Sequence, residues 1–188
     1  PRMLDMPGGD LPIDSTAFLD LKNLPNHITF IGGGYIAMEF AHLAARAGSK
    51  VVIVHRGKFP LENFEEDMVR YLVDATYQLN IDLHLETEVV SIEEKNGRYR
   101  VFAKANDGEK SIETAMVVNA TGRVPELDGL VLEKANIKHG KEGIEVNEYL
   151  QSTSNERIYA AGDAAASKGL NLTPVAVMEG HAVAANII

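Results

Sequence analysis

Apolar and polar positions along the chain fall into two different periods, and the change between them organises the reading. His27 to Ile31 is almost continuously apolar and is followed by Gly32-Gly33-Gly34. Apolar residues then return at helical spacing, at Ile36, Phe40, Leu43, Ala44 and Ala47. A continuous apolar run fits a strand buried on both faces, and the later spacing fits an amphipathic helix. Gly48 supplies a helix stop, and Val51-Val52-Ile53-Val54 reads as a second buried strand. The pattern therefore predicts one complete βαβ unit of a parallel sheet. Glu65-Glu66-Asp67 places negative charge at the start of a second helix, with an apolar stripe at Met68, Leu72, Ala75 and Leu79. Ile81, Leu83 and Leu85 alternate with polar residues and predict a third strand.

From there the period becomes two. Residues 89–94, 98–105 and 110–114 alternate, and Asn96-Gly97 and Asp107-Gly108 between them are hairpin turn signals. A three-stranded antiparallel meander thus takes the place of a crossover helix, and Met116 to Ala120 returns as a buried strand. The fold class expected is α/β: a Rossmann-like parallel sheet with a β-meander crossover. At the chain's two ends the pattern is less regular. Asp14-Ser15-Thr16 caps a short helix over Ala17 to Leu21, and Leu130 to Ala135 suggests a helical turn. Ile144-Glu145-Val146 and Ile158 to Asp163 read as strands. Thr173 as cap and Pro174 as first helical residue open a helix from Val175 to Ile188.

The glycine turn carries the chemistry. Gly32-x-Gly34-x-x-Ala37 fits the dinucleotide-binding fingerprint with alanine at its third position. Gly32 permits the sharp turn out of the strand, Gly34 lets backbone approach a pyrophosphate, and Ala37 lets the helix pack closely on the strand. The new helix offers unpaired N–H groups and the positive end of its dipole to that pyrophosphate. The second strand ends in His55-Arg56-Gly57-Lys58. A carboxylate there would bond the ribose 2′-hydroxyl of NAD, whereas a cation accommodates the 2′-phosphate of NADP. Arg56 and Lys58 favour NADPH over NADH at this point.

Composition narrows the classes further. The chain has 188 residues, 45% of them hydrophobic and 24% charged, within the ordinary range of a globular protein. A net charge of −9 argues against nonspecific nucleic-acid binding. No apolar run approaches the ~20 residues that cross a bilayer, and no signal peptide is visible, so a cytoplasmic location is expected. There is no cysteine, which excludes disulfides and a cysteine nucleophile within the chain, and the six histidines show no metal-ligand spacing.

Together these stretches resemble the pyridine nucleotide-disulfide oxidoreductases, the flavoprotein family of glutathione reductase, dihydrolipoamide dehydrogenase and mercuric reductase. The resemblance rests on Gly32-Gly33-Gly34-Tyr35-Ile36-Ala37-Met38-Glu39-Phe40, Ala120-Thr121-Gly122-Arg123, Tyr159-Ala160-Ala161-Gly162-Asp163 and Leu172-Thr173-Pro174-Val175-Ala176, in family order. Gly-Tyr-Ile-Ala and Leu-Thr-Pro-Val-Ala bring the glutathione reductase branch closest. It implies that Gly32, Gly34 and Ala37 line the pyrophosphate, that Arg56 and Lys58 hold the 2′-phosphate, and that His55 belongs to the same cofactor-binding set. It implies that Tyr35 gates the nicotinamide pocket over the flavin, and that Glu39 belongs to that pocket. Ile36, Gly122 and Arg123 join the cofactor-binding set, and Asp163 would bind the ribitol of FAD. His55 departs from the charged residue usual at its position.

The resemblance also sets expectations for what lies outside. The family's first glycine fingerprint and redox cysteine pair would precede Pro1, and its dimerisation domain would follow Ile188. Residues 1–22 are then expected to come from the flavin domain, 23–123 to form the NAD(P)H-binding domain, and 124–188 to return towards the flavin domain. The parent would be a homodimer that moves hydride from NADPH to FAD and on to a disulfide or similar acceptor, with the fragment inactive alone. A flavin NAD(P)H oxidase or ferredoxin reductase without a redox disulfide, and a noncatalytic NAD(P)-sensing module, are the alternatives.

Overall fold

The computed structural model describes all of residues 1–188, and the chain divides into two compact units, residues 1–122 and 123–188. In the first, β1 (His27–Ile31), β2 (Lys50–Val54), β3 (Asp82–His84) and β7 (Met116–Asn119) form a parallel sheet in the order β3-β2-β1-β7. Between β3 and β7 run the antiparallel strands β4 (Thr87–Lys95), β5 (Arg98–Ala105) and β6 (Gly108–Thr114). Asn96 and Gly97 both take positive φ, 55° and 70°, the geometry a two-residue hairpin turn requires. The second hairpin turns at Asn106-Asp107, so β6 begins at Gly108 rather than at Lys110.

The sheet is buried on both faces, which is why its strands read as apolar runs. On one face Ile28, Phe30, Val51, Ile53 and Val118 pack against the helices α1 (Ser15–Leu19), α2 (Tyr35–Arg46) and α3 (Glu66–Gln78). On the other, Ile31 and Val117 meet Ile92 and Val101 of the meander, with Leu4, Met6 and Leu11 beside them. Helix α2 lies on its small residues: Ala37, Ala41 and Ala44 are completely buried, whereas Leu43 is 57% exposed. Of the expected stripe, Ala44 is buried and Ile36 and Phe40 pack against the core, while Leu43 does not, because a close helix–sheet approach selects alanine rather than leucine on the contact line. In α3, Leu72 and Leu79 of the expected stripe pack against the core, Val69 and Thr76 are buried beside them, and Met68 is exposed.

Thr76 ties these two helices together. Its hydroxyl donates to Leu72 O at 2.7 Å, so it can only accept from His42 Nε2, 2.9 Å away. That bond places the imidazole proton on Nε2.

The leading residues are built into this unit. Ile13 N donates to Val117 O at 3.0 Å and Asn119 N to Ile13 O at 2.8 Å, adding a single parallel bridge beside β7. Asp14 accepts from Ala17 N at 2.8 Å, so α1 starts at Ser15 instead of Ala17. Phe18 stacks on Phe40 at 4.8 Å and meets Phe30 edge-on at 5.5 Å.

The second unit has a small core of Leu132, Ile137, Ile144, Ala160 and Ala165. Leu132–Ala135 is a 3-10 turn, and His139–Gly140 (β8) pairs with Gly143–Ile144 (β9). The strand expected over Ile158 to Asp163 does not form. Tyr159 makes only an isolated bridge to Gln151, and Gly162–Ala164 closes into a 3-10 turn. Its backbone bonds are local instead: Ala160 N donates to Leu150 O at 3.0 Å. Helix α4 (Thr173–Ile187) is capped by Leu172, not Thr173, and buries no residue. A clasp holds it, as Glu179 accepts from Gly162 N at 2.6 Å and from Ser167 Oγ at 2.5 Å.

Removing the Phe18 ring should cost the first unit about 3–5 kcal/mol, the scale of a buried aromatic truncation. Urea unfolding of Phe18→Ala, followed by tyrosine fluorescence and circular dichroism, should show a lower midpoint. An unchanged midpoint would mean that α1 is an appendage rather than part of the core.

Candidate functional site

A cleft of about 1020 Å³ opens in the first unit, at the C-terminal ends of the parallel strands. Gly32, Gly33 and Gly34 after β1, Ala120 to Gly122 after β7, and Val54 to Gly57 from the end of β2 line it. The chain leaves β1 through α2 towards β2, while β7 comes in on the opposite side of β1. Such a reversal of strand order leaves a crevice between loops that diverge, the usual place for a ligand in an open α/β sheet. The volume reaches the upper end of the ~300–1,000 Å³ typical of small-molecule pockets, ample for an extended nucleotide.

Each of the three glycines has its own reason. Gly32 has φ +115°, and a Cβ there would collide with the carbonyl oxygen of Ala120. A Cβ on Gly33 would lie 2.5 Å from Cγ of the His55 ring. Gly34 has φ −79°, ordinary for any residue, and a Cβ there would meet nothing within 4 Å. It caps α2 without a side-chain hydrogen bond and lines the cleft, so the positive end of that helix faces the cavity.

The loop after β2 folds back onto this turn. Leu61 N donates to Gly33 O at 2.8 Å, and His55 Nε2 donates to Phe59 O at 2.9 Å. A carbonyl only accepts, so the neutral His55 carries its proton on Nε2. Burial lowers its pKa below the usual imidazole value, with Arg56 adding to the effect; the Phe59 carbonyl and Glu62 pull the other way. Glu62 Oε1 lies 3.8 Å from His55 Nε2.

Across the cleft, Asn119 shapes the second glycine turn. Its Oδ1 accepts from Thr121 N at 3.1 Å and from Thr121 Oγ1 at 2.8 Å, and its Nδ2 donates to Arg2 O at 2.8 Å. Gly122, at φ +119°, stands over open space. Three cations, Arg2, Arg56 and Lys104, and four carboxylates, Asp5, Glu62, Glu86 and Glu88, are among the lining residues, so the cleft is not basic overall.

The structure thus brings Gly32, Gly34, His55, Arg56 and Gly122 to one cavity. Lys58, Tyr35, Ile36 and Glu39 are not among its lining residues. Lys58 is exposed on the loop, while Tyr35, Ile36 and Glu39 sit on the first turns of α2. Ala37 is completely buried, so its side chain serves the packing of α2 on the sheet. Arg123 and Asp163 belong to the second unit, where Asp163 is an exposed carboxylate on the 3-10 turn. Asn119, Glu62 and the Arg2–Met6 segment were not foreseen. No spacing rule links them to the glycine motif; an Asn at the end of a buried strand was the only local signal.

Residues 1–180 match the family described as "Pyridine nucleotide-disulphide oxidoreductase". The chain belongs to this family. It is 40% identical over 185 residues to a glutathione reductase of Burkholderia cepacia, covering 98% of this chain and 40% of that protein. It is 33% identical over 177 residues to a mercuric reductase of Staphylococcus aureus, covering 94% of this chain and 32% of that one. Among solved structures, the HOCl-induced flavoprotein disulfide reductase of Escherichia coli superimposes with a TM-score of 0.85 at 26% identity, over 100% of this chain and 42% of that chain. The chain therefore spans about 40% or less of the length of these oxidoreductase relatives. No helix is long and apolar enough to cross a membrane.

Single alanine substitutions should separate the three glycines by stability. Gly32→Ala and Gly33→Ala should each lower the unfolding free energy by about 1–3 kcal/mol, through backbone strain or overpacking. Gly34→Ala should cost about 1 kcal/mol or less, the range for an N-cap change. Equal losses at all three would contradict the geometry.

Acid should destabilise the fold through its half-buried imidazoles. Burial lowers the pKa of both His42 and His55, so the unfolded chain binds protons that the folded chain refuses. Their contribution is complete above about pH 6.5 and is lost as pH falls through the lower folded values. The urea midpoint should fall on going from about pH 7.5 to about pH 5.5, and less steeply in the double variant His42→Gln/His55→Gln.

Proposed function

We propose that the cleft binds the adenosine and pyrophosphate portion of a nicotinamide dinucleotide. The chain is then the NAD(P)H-binding part of an FAD-dependent oxidoreductase that passes hydride from NADPH, through flavin, to a disulfide or similar acceptor. Gly34 carries this reading. The folded chain itself gives no reason for a glycine there: φ is ordinary and the space beyond it is open. A ligand backed against the turn supplies the reason, since any side chain would occupy the place of its phosphates. The cap-free start of α2 then meets the negative charge with its dipole.

Arg56 follows the end of β2 and lines the cleft, where its guanidinium can pair with a 2′-phosphate. Lys58 would add a point charge from the same loop. Tyr35 and Glu39, at the start of α2, are assigned to the nicotinamide end. In the second unit, Asp163, on a turn that Glu179 braces, would accept a hydrogen bond from a flavin ribityl hydroxyl in the parent. Bound flavin would supply the two-electron acceptor that a dihydronicotinamide reduces. Residues 23–123 would then be the nucleotide domain, with 1–22 and 124–188 contributing to flavin binding in the parent, a homodimer.

Calorimetric titration of the chain tests the nucleotide assignment. NADPH should bind more tightly than NADH, and Arg56→Ala should weaken NADPH by roughly 1.5–3 kcal/mol while leaving NADH nearly unchanged. Equal losses for the two nucleotides would remove the phosphate role of Arg56, and no binding of either would overturn the site.

A further inference from the structure

The sequence offers only cations after β2, but the fold returns a carboxylate to the same place. Glu62 lies seven residues beyond His55 in the chain, yet its Oε1 is 3.8 Å from His55 Nε2. It also lies directly over Gly57, so close that a Cβ on Gly57 would collide with it. The loop that carries it is pinned: Leu61 N bonds Gly33 O at 2.8 Å, His55 bonds Phe59 O at 2.9 Å, and Glu86 N bonds Gly57 O at 2.9 Å. Glu62 remains 61% exposed on its side chain and lines the cleft, so its charge faces the cavity rather than the core.

We infer that Glu62 is a specificity-determining residue, accepting a hydrogen bond from the free 2′-hydroxyl of NADH and opposing the 2′-phosphate of NADPH. This rests on the nucleotide assignment above. The ribose lies beyond the end of the second strand in this fold, where a carboxylate selects the hydroxyl and a cation the phosphate. Here Arg56 and Glu62 stand at one strand end with opposite charges, so the preference is their difference. His55 does not cancel Glu62: its Nε2 proton is committed to Phe59 O, and burial favours the neutral ring. The cleft's other charges, Asp5, Glu86 and Glu88 against Arg2 and Lys104, do not tip it positive, and the charged residue next to the His55–Gly57 backbone that Glu62 faces is Arg56. The chain should therefore accept both nucleotides, with NADPH held below the affinity that Arg56 alone would give.

The test is Glu62→Gln, which keeps size and hydrogen-bonding capacity and removes the charge at a mostly exposed position. Calorimetry with NADH, NADPH and the half-ligands ADP and 2′,5′-ADP separates the 2′ position from the nicotinamide end. The variant should tighten NADPH and 2′,5′-ADP by on the order of tenfold and leave NADH and ADP equal or weaker. An affinity ratio unchanged from the wild-type chain for both pairs would overturn the role of Glu62 and leave the nucleotide site standing. A wild-type chain that binds none of the four would overturn the site and this inference together.

Discussion

The first unit depends on how closely two strand ends can approach. Gly32, at the end of β1, lies against the backbone of Ala120 after β7, with no room for a Cβ between them. Ile31 O accepts from Ala120 N at 2.8 Å on the same side. This contact sets β1 and β7 in register to their last residues, and both chains must then turn away. One enters α2 through Gly33 and Gly34; the other passes Thr121 and Gly122. The crevice between them is what remains when neighbouring strands continue in opposite directions. A side chain at Gly32 would therefore disturb the sheet and the cleft together.

A second layer of constraint comes from the loop after β2. His55 fills the space that Gly33 leaves, and its imidazole proton holds Phe59 O. The glycine turn is thus braced from below by Ala120 and from the side by His55, and only Gly34 faces open space. The turn is rigidly backed and open on one face, so it keeps its shape with the cleft empty. The same fold-back brings Glu62 beside His55 and into the cleft that Arg56 also lines, so the loop that stiffens the turn also determines the charge around it.

The two units obtain their stability by different means. The first buries a sheet between helices and meander, and its polar bonds, such as His42 to Thr76, join elements already packed together. The second has a small core and an α4 with no fully buried residue, held by Glu179 through Gly162 and Ser167. A carboxylate with two donors adds to the partial packing of Val175 and Ala176 in fixing the helix, because breaking it would leave both donors to find other partners.

Much of this was legible in the chain. The βαβ unit showed in the apolar run, the glycines and the helical spacing, and the meander showed in Asn96-Gly97 and strict alternation. These signals are local: a turn needs its own residues, and a strand's period records the two faces it presents. Gly32, Gly34, His55, Arg56 and Gly122 could be marked from motif and strand position alone. The sequence could not show that Ile158 to Asp163 would lack a strand, since a strand exists only where a neighbour supplies its hydrogen bonds. It also could not choose between Leu43 and Ala41 as the contact line of α2, because that choice depends on how near the sheet lies. Nor could it reveal Glu62 beside His55, a proximity made by backbone bonds to Gly33 and Gly57 from residues distant in the chain. Periodicity and turn chemistry act over a few residues and are written in order; the charge that faces a ligand depends on which loops the fold brings back to the same strand end.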